Sequence, residues 1–238
     1  MTIVLRGGIL RAWTGDAHRT QHTTQSNSQK EISVMRVHGF SFSVANSKMG
    51  RVGSFSVLPV VTCNCDAPCT KGNTCYAKRM VSRYKNVREA YQYNTEALLR
   101  DNRYNDLIKS ADDFIAYNEF RLFRWNVSGD FATLNYLMAA CEVAKHNPDV
   151  KFLAFTKQFK VVNEGFKMGI IPSNFNIVFS AWGEFMPDDV KSVPVAYFDD
   201  GNTPELIPDY AELCGGDCQH CKRCFNLKPG EAVKFKKH

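Results

Sequence analysis

A chain of 238 residues, 44% hydrophobic and 12% aromatic, is long enough for one sizeable core, and no apolar run approaches the roughly 20 residues that would cross a bilayer. Its net charge of +6 permits contact with nucleic acid or another polyanion. Nine cysteines behind an N-terminus without a secretory h-region read as metal ligands or reactive thiols, not as a disulfide framework, and imply a reducing, cytoplasmic setting.

In chain order, residues 1–30 form a polar, flexible arm, with Thr23, Thr24, Gln25, Ser26, Asn27 and Ser28 in close succession. An α/β domain is expected over residues 31–210 and a cysteine-rich segment over 211–238. Short apolar, β-branched or aromatic runs predict strands at 54–61, 120–125, 151–155, 176–180 and 193–197. Helical spacing covers 81–109, 134–145 and 159–168. Lys234, Lys236 and Lys237 read as solvated lysines at a frayed terminus. The βαβαβα order suits a doubly wound sheet or a barrel, and the fold class expected is α/β, a partial (βα) TIM-like barrel with parallel strands. Either architecture places its chemistry at the carboxyl ends of the strands.

The loop after the first strand carries Cys63, Cys69 and Cys75 with five residues in each gap, and Cys65 beside them. Three thiolates on one loop leave a fourth position open, for water or substrate on zinc or for a ligand on one iron of a [4Fe–4S] cluster. Cys63 and Cys65 point to opposite sides if the chain is extended, so Cys65 is the ambiguous member. Near the C-terminus, Cys214, Cys218, Cys221 and Cys224 lie within eleven residues, a compactness that suits a cluster better than the separated pairs of structural zinc. His220 and His238 are alternative ligands there. Cys141, alone in an apolar helix pattern, reads as core.

Other strand ends carry Asp130, a candidate base, nucleophile or amine ligand that competes with Thr133 for the cap of the next helix. Lys157 is a candidate catalytic or anion-binding cation. Arg124 lies inside a strand and, facing inward, would need a buried anion such as Asp130 or a ligand. Trp182 with Gly183 offers a flat stacking surface for a base or adenine.

Asn46-Ser47-Lys48-Met49-Gly50, Phe55-Ser56-Val57-Leu58-Pro59, Cys75-Tyr76-Ala77, Ser128-Gly129-Asp130-Phe131, Phe155-Thr156-Lys157 and the terminal cysteines together resemble the gene product 88 family of phage proteins. The arrangement also resembles radical S-adenosylmethionine enzymes, in which three cluster cysteines follow the first barrel strand and a Gly-Gly-Glu element follows the second. That resemblance implies cofactor contacts at Tyr76, Ser128, Gly129 and Asp130, although the cysteine gaps here are five and five where that family has three and two.

The leading expectation is a phage-type iron–sulfur enzyme, radical S-adenosylmethionine-like, that modifies a nucleic acid, a nucleobase or another small substrate. It would carry one or two [4Fe–4S] clusters, with zinc as the alternative metal at either cysteine group. A second reading resembles tRNA-guanine transglycosylases, with Asp130 as nucleophile and zinc on the terminal cysteines. The third is a metal-stapled binding protein with no catalysis.

Overall fold

The computed structural model describes residues 34–45, 49–72 and 74–236. The expected arm over residues 1–30, Asn46, Ser47, Lys48, Lys237 and His238 fall outside the described residues. The strands are β1 (Val34–Val37), β2 (Phe40–Ser43), β3 (Gly53–Phe55), β4 (Leu122–Trp125), β5 (Lys151–Thr156), β6 (Phe175–Ala181), β7 (Val195–Asp199), β8 (Glu212–Leu213) and β9 (Ala232–Lys236). They form one sheet in the order β1-β2-β3-β4-β5-β6-β7-β9-β8. From β3 onward every neighbouring pair is parallel, whereas β2 pairs antiparallel with both β1 and β3.

The helices are α1 (Pro68–Lys71), α2 (Tyr76–Arg83), α3 (Lys85–Leu99), α4 (Tyr104–Asn118), α5 (Leu134–His146), α6 (Phe159–Lys167) and α7 (Cys218–Cys221). Because β3 to β7 follow one another as neighbours and parallel crossovers share one hand, the connecting helices stack on the same side of the sheet. Side chains alternate accordingly. Phe123, Trp125, Phe152, Ala154, Ile177, Phe179 and Val195 meet α3 to α6 in the main core. Leu153, Val178, Ala196 and Val233 face the other way, where Met49, Val52, Phe225 and Leu227 cover them.

No pairing among the described residues joins the edges β1 and β8, so the sheet is open and the expected barrel is corrected to an open, mostly parallel sheet. An antiparallel hairpin occupies one edge, and β8 pairs beyond β9 at the other. The first strand is shorter than expected, because the chain leaves the sheet after Phe55 to bond Val57 N–H to the Ser128 carbonyl, 3.1 Å. The helix expected over 81–109 is three helices, α2 to α4. Tyr84 is extended between α2 and α3, and Asn102 turns left-handed at φ 51° before α4. Lys234 and Lys236 belong to β9, which runs parallel to β7, and not to a frayed end.

Thr133, not Asp130, caps α5, its hydroxyl accepting from Tyr136 N–H at 3.2 Å. Thr133→Ala is expected to lower stability by about 1 kcal/mol, read as a shift in urea midpoint at unchanged slope.

Candidate metal centre

The first cysteine loop leaves the sheet through Val60, a β-branched residue at φ 71°, a conformation that costs about 1–3 kcal/mol and persists only where surroundings impose it. Those surroundings are a set of hydrogen bonds from the ends of β4 and β5. Thr62, buried, donates its hydroxyl to the Leu58 carbonyl at 2.6 Å and accepts from Asp130 N–H at 3.1 Å. Gln158 Nε2 donates to the Thr62 carbonyl at 3.0 Å, and Asn64 Nδ2 donates to the Lys157 carbonyl at 3.1 Å.

Asp130 is the hub. Its Oδ1 accepts from Phe131 N–H and from the Thr156 hydroxyl, both at 2.8 Å, and its Oδ2 accepts from Lys157 N–H at 2.7 Å. Burial pushes its carboxyl above the usual range, against the opposing pull of those three donors and the Lys157 charge. Beside it, Ser128 donates to the Val57 carbonyl at 3.1 Å, and Gly129 sits at φ 78° in contact with Val57 and Thr62. Ser128 to Asp130 therefore form a buried junction between strand ends. The residues named from the sequence for a cofactor amine are engaged in that junction, and they do not fit S-adenosylmethionine as free acceptors.

On the loop, Cys69 lies in α1 and Cys75 is the N-cap of α2, its sulfur accepting from Lys78 N–H at 3.4 Å. Burial pushes the Cys63 thiol up to about 12, helped by the charges of Asp130, Cys69 and Cys75. Cys65 is exposed and is not among the groups that press on Cys63. Cys69 and Cys75 thus lie within electrostatic reach of Cys63, without the three standing converged as a ligand set. Tyr76 exposes about half of its surface but donates its hydroxyl to the Val127 carbonyl, and burial of that hydroxyl raises its pKa against the pull of Arg124.

The second group covers the sheet face opposite the helices. Cys214 follows β8 and donates its N–H to the Lys234 carbonyl at 2.9 Å. Cys218 and Cys221 share a face of α7 at i, i+3, and Cys224 lies in the next turn, which Lys222 enters left-handed at φ 50°. Asn176 Nδ2 on β6 fixes that turn by donating to the Cys224 carbonyl at 2.7 Å. Burial lifts the Cys224 thiol to about 12, with the charges of Cys214 and Cys218 next and Cys221 contributing, while Arg124 opposes them.

Arg124, on β4, lies within electrostatic reach of Tyr76, the neighbour of Cys75, and of Cys224 in the second group, since its charge draws down both. Its guanidinium sits 5.0 Å over the Phe155 ring and its Nη1 donates to the Met49 sulfur at 3.4 Å, while its buried Nε has no acceptor. Asp130 is not its partner, contrary to one sequence expectation. Trp182 packs against Phe198, with ring centroids 4.4 Å apart and planes tilted by 59°, and donates its indole N–H to Asp200 at 2.8 Å. Cys141 is fully buried in the core, as its helix pattern implied.

The donors suit a thiophilic metal in kind and number, three thiols in one group and four in the other. Among the described residues, no three Cys, His, Asp or Glu side chains stand converged as a ready ligand set. No described helix is long and apolar enough to cross a membrane. Thr62, Asn64 and Gln158 were not legible as site residues, because only the parallel strand order brings positions so far apart in the chain to one edge.

In comparisons with known proteins, the profile described as gene product 88 matches residues 13–227. No curated protein and no solved structure was found to match the chain.

Proposed function

From a chain that belongs to the gene product 88 family and carries its free cysteines chiefly in two groups along the sequence, we infer a phage-type iron–sulfur metalloenzyme that modifies a nucleic acid or a nucleobase. Cys63, Cys69 and Cys75 would hold one [4Fe–4S] cluster, and Cys214, Cys218, Cys221 and Cys224 a second cluster or a zinc ion. The observation that carries the reading is the anchoring of the first loop. Three strand ends and a strained Val60 fix a three-thiol loop at the carboxyl edge of the sheet, where parallel α/β folds place their chemistry.

When bound, a cluster on three thiolates supplies electron transfer and one iron with an open coordination position. The protein's own residues do the rest. Asp130 holds the loop against β4 and β5, Arg124 supplies a positive charge that acts on Cys224 and on Tyr76 beside Cys75, and Trp182 with Phe198 offers a ring surface at the end of β6. A substrate carboxylate or phosphate would be met at this edge by Lys157, whose charge already acts on Asp130.

One further reading has an observation in its favour. Asp130, with three donors on its carboxylate, is built as a brace, which suits a zinc-stapled binding protein better than a base-exchange enzyme that attacks through Asp130.

The deciding measurement is the iron, sulfide and zinc content, with an absorption spectrum, of protein purified without oxygen. A Cys63→Ala, Cys69→Ala, Cys75→Ala variant is expected to lose about four irons, the load of one [4Fe–4S] cluster. Colourless wild-type protein with stoichiometric zinc and no iron would replace the iron–sulfur reading by the zinc-stapled one.

A further inference from the structure

We propose that the outer face of α2 and the start of α3 form a docking surface for a single-stranded nucleic acid backbone, leading the substrate to the first cysteine group. The proposal rests on the reading above only for what happens at the cysteines; the surface itself stands on its own observations.

From Ala67 to Arg88 the chain has no Asp or Glu, yet carries Lys71, Lys78, Arg79, Arg83, Lys85 and Arg88. Folding sorts this stretch. Ala77 and Val81 turn inward at i, i+4, and Val81 joins Val87, Ala90 and Tyr91 of α3 in a small core. Lys78, Arg79, Ser82 and Arg83 occupy the opposite face and line one shallow depression. Arg79 and Arg83 are one turn apart, about 6 Å along the axis, and like charges at that spacing destabilise a helix by a few tenths of a kcal/mol.

Elsewhere the helices avoid that penalty by placing an acid beside the cation. Lys85 stands by Glu89, Arg100 by Glu96, Lys145 by Glu142 and Lys167 by Glu164. Helix α2 alone among α2 to α6 has no acidic residue in its sequence, so Arg79 and Arg83 have no acid on their own helix to face. Exposed tyrosines bracket it, Tyr76 at 52% and Tyr84 at 39% exposure. Cations beside partly exposed rings, with Arg83 lying 5.5 Å over Tyr84, match a strand that offers phosphates and unstacked bases in alternation.

An anionic membrane is the competing polyanion. An amphipathic helix binds a bilayer by inserting its apolar face, and the apolar face of α2 is already buried against α3. The placement also favours a substrate path, because the N-cap of α2 is Cys75 itself.

The test is fluorescence anisotropy with labelled single-stranded DNA and RNA, between about 50 and 200 mM salt, where phosphate contacts lose the most affinity. Arg79→Ala with Arg83→Ala is expected to weaken binding at least about tenfold and to reduce the slope of log affinity against log salt by about 1.4, at roughly 0.7 per contact. Lys145→Ala with Lys167→Ala, equal in charge removed but on α5 and α6, is expected to leave both unchanged. An unchanged slope in the α2 variant, an equal loss in the α5/α6 variant, or capture by anionic phospholipid vesicles in place of oligonucleotide would each overturn the proposal. Metal content separates the two readings: an α2 variant that keeps the wild-type metal load but loses oligonucleotide supports the surface. Wild-type protein that binds oligonucleotide through α2 but holds no metal leaves the surface standing and removes the cluster.

Discussion

Gly129→Ala is expected to lower stability by about 4 kcal/mol, from roughly 1–2 for a left-handed non-glycine residue and 1–3 for overpacking. Gly129 has φ 78°, and a Cβ there would stand 2.4 Å from Val57 Cγ2, 2.6 Å from Thr62 Oγ1 and 2.9 Å from the Val57 carbonyl oxygen. None of the three can retreat easily. Val57 is hydrogen-bonded through its N–H to Ser128, and Thr62 is held by Leu58 and Asp130. The control is Gly201→Ala, at φ 84° with nothing within 4 Å, which isolates the backbone contribution. Urea denaturation of both variants should show Gly201→Ala losing about 1–2 kcal/mol and Gly129→Ala at least twice that. Equal losses would mean that the junction yields, and that it does not brace the cysteine loop.

The parallel strands were legible because each is a short apolar run that stops at a polar residue: Phe152 to Phe155 before Thr156, and Ile177 to Phe179 before Ser180. The helices α5 and α6 were legible for the same reason, their apolar periodicity being unbroken between strands. The edges of the sheet were harder to read. Strand β9 contains Lys234 and Lys236 among Ala232, Val233 and Phe235, a pattern that looks like a charged tail until β7 and β8 pair with it. The β1–β2 hairpin did leave a mark, His38-Gly39 between alternating residues, both at positive φ, 46° and 92°. The break between α2 and α3 left none, since Tyr84 is neither glycine nor proline.

At the site, the cysteines announced themselves by spacing, as donors that have little packing use outside a core. Their supports did not. Thr62, Asp130, Lys157 and Gln158 acquire their roles only when β3, β4 and β5 lie side by side in that order. Asp130 was singled out for its position after a glycine at a strand end, and the position was right. What the sequence could not carry was the count of donors around its carboxylate, which turns a candidate nucleophile into a brace.

That difference has a measurable consequence in Asp130→Ala. The change strands Phe131 N–H, the Thr156 hydroxyl and Lys157 N–H, the first two at 2.8 Å and the third at 2.7 Å from the carboxylate in the wild type. A buried donor without an acceptor costs about 1–3 kcal/mol, and removal of a desolvated carboxylate returns part of that sum. The net expectation is a loss of about 3 kcal/mol by urea denaturation. Asp130→Asn keeps the shape but turns its amide hydrogens toward at least one of the three donors, so it should fall between wild type and Asp130→Ala. A catalytic carboxylate predicts another pattern: activity removed by Asp130→Asn with stability nearly intact. If both variants unfold at the wild-type urea midpoint, the bracing role fails. If stability falls in the order wild type, Asn, Ala, and the Asn variant takes up metal in proportion to its folded fraction, Asp130 acts on the first cysteine group through the geometry of its loop.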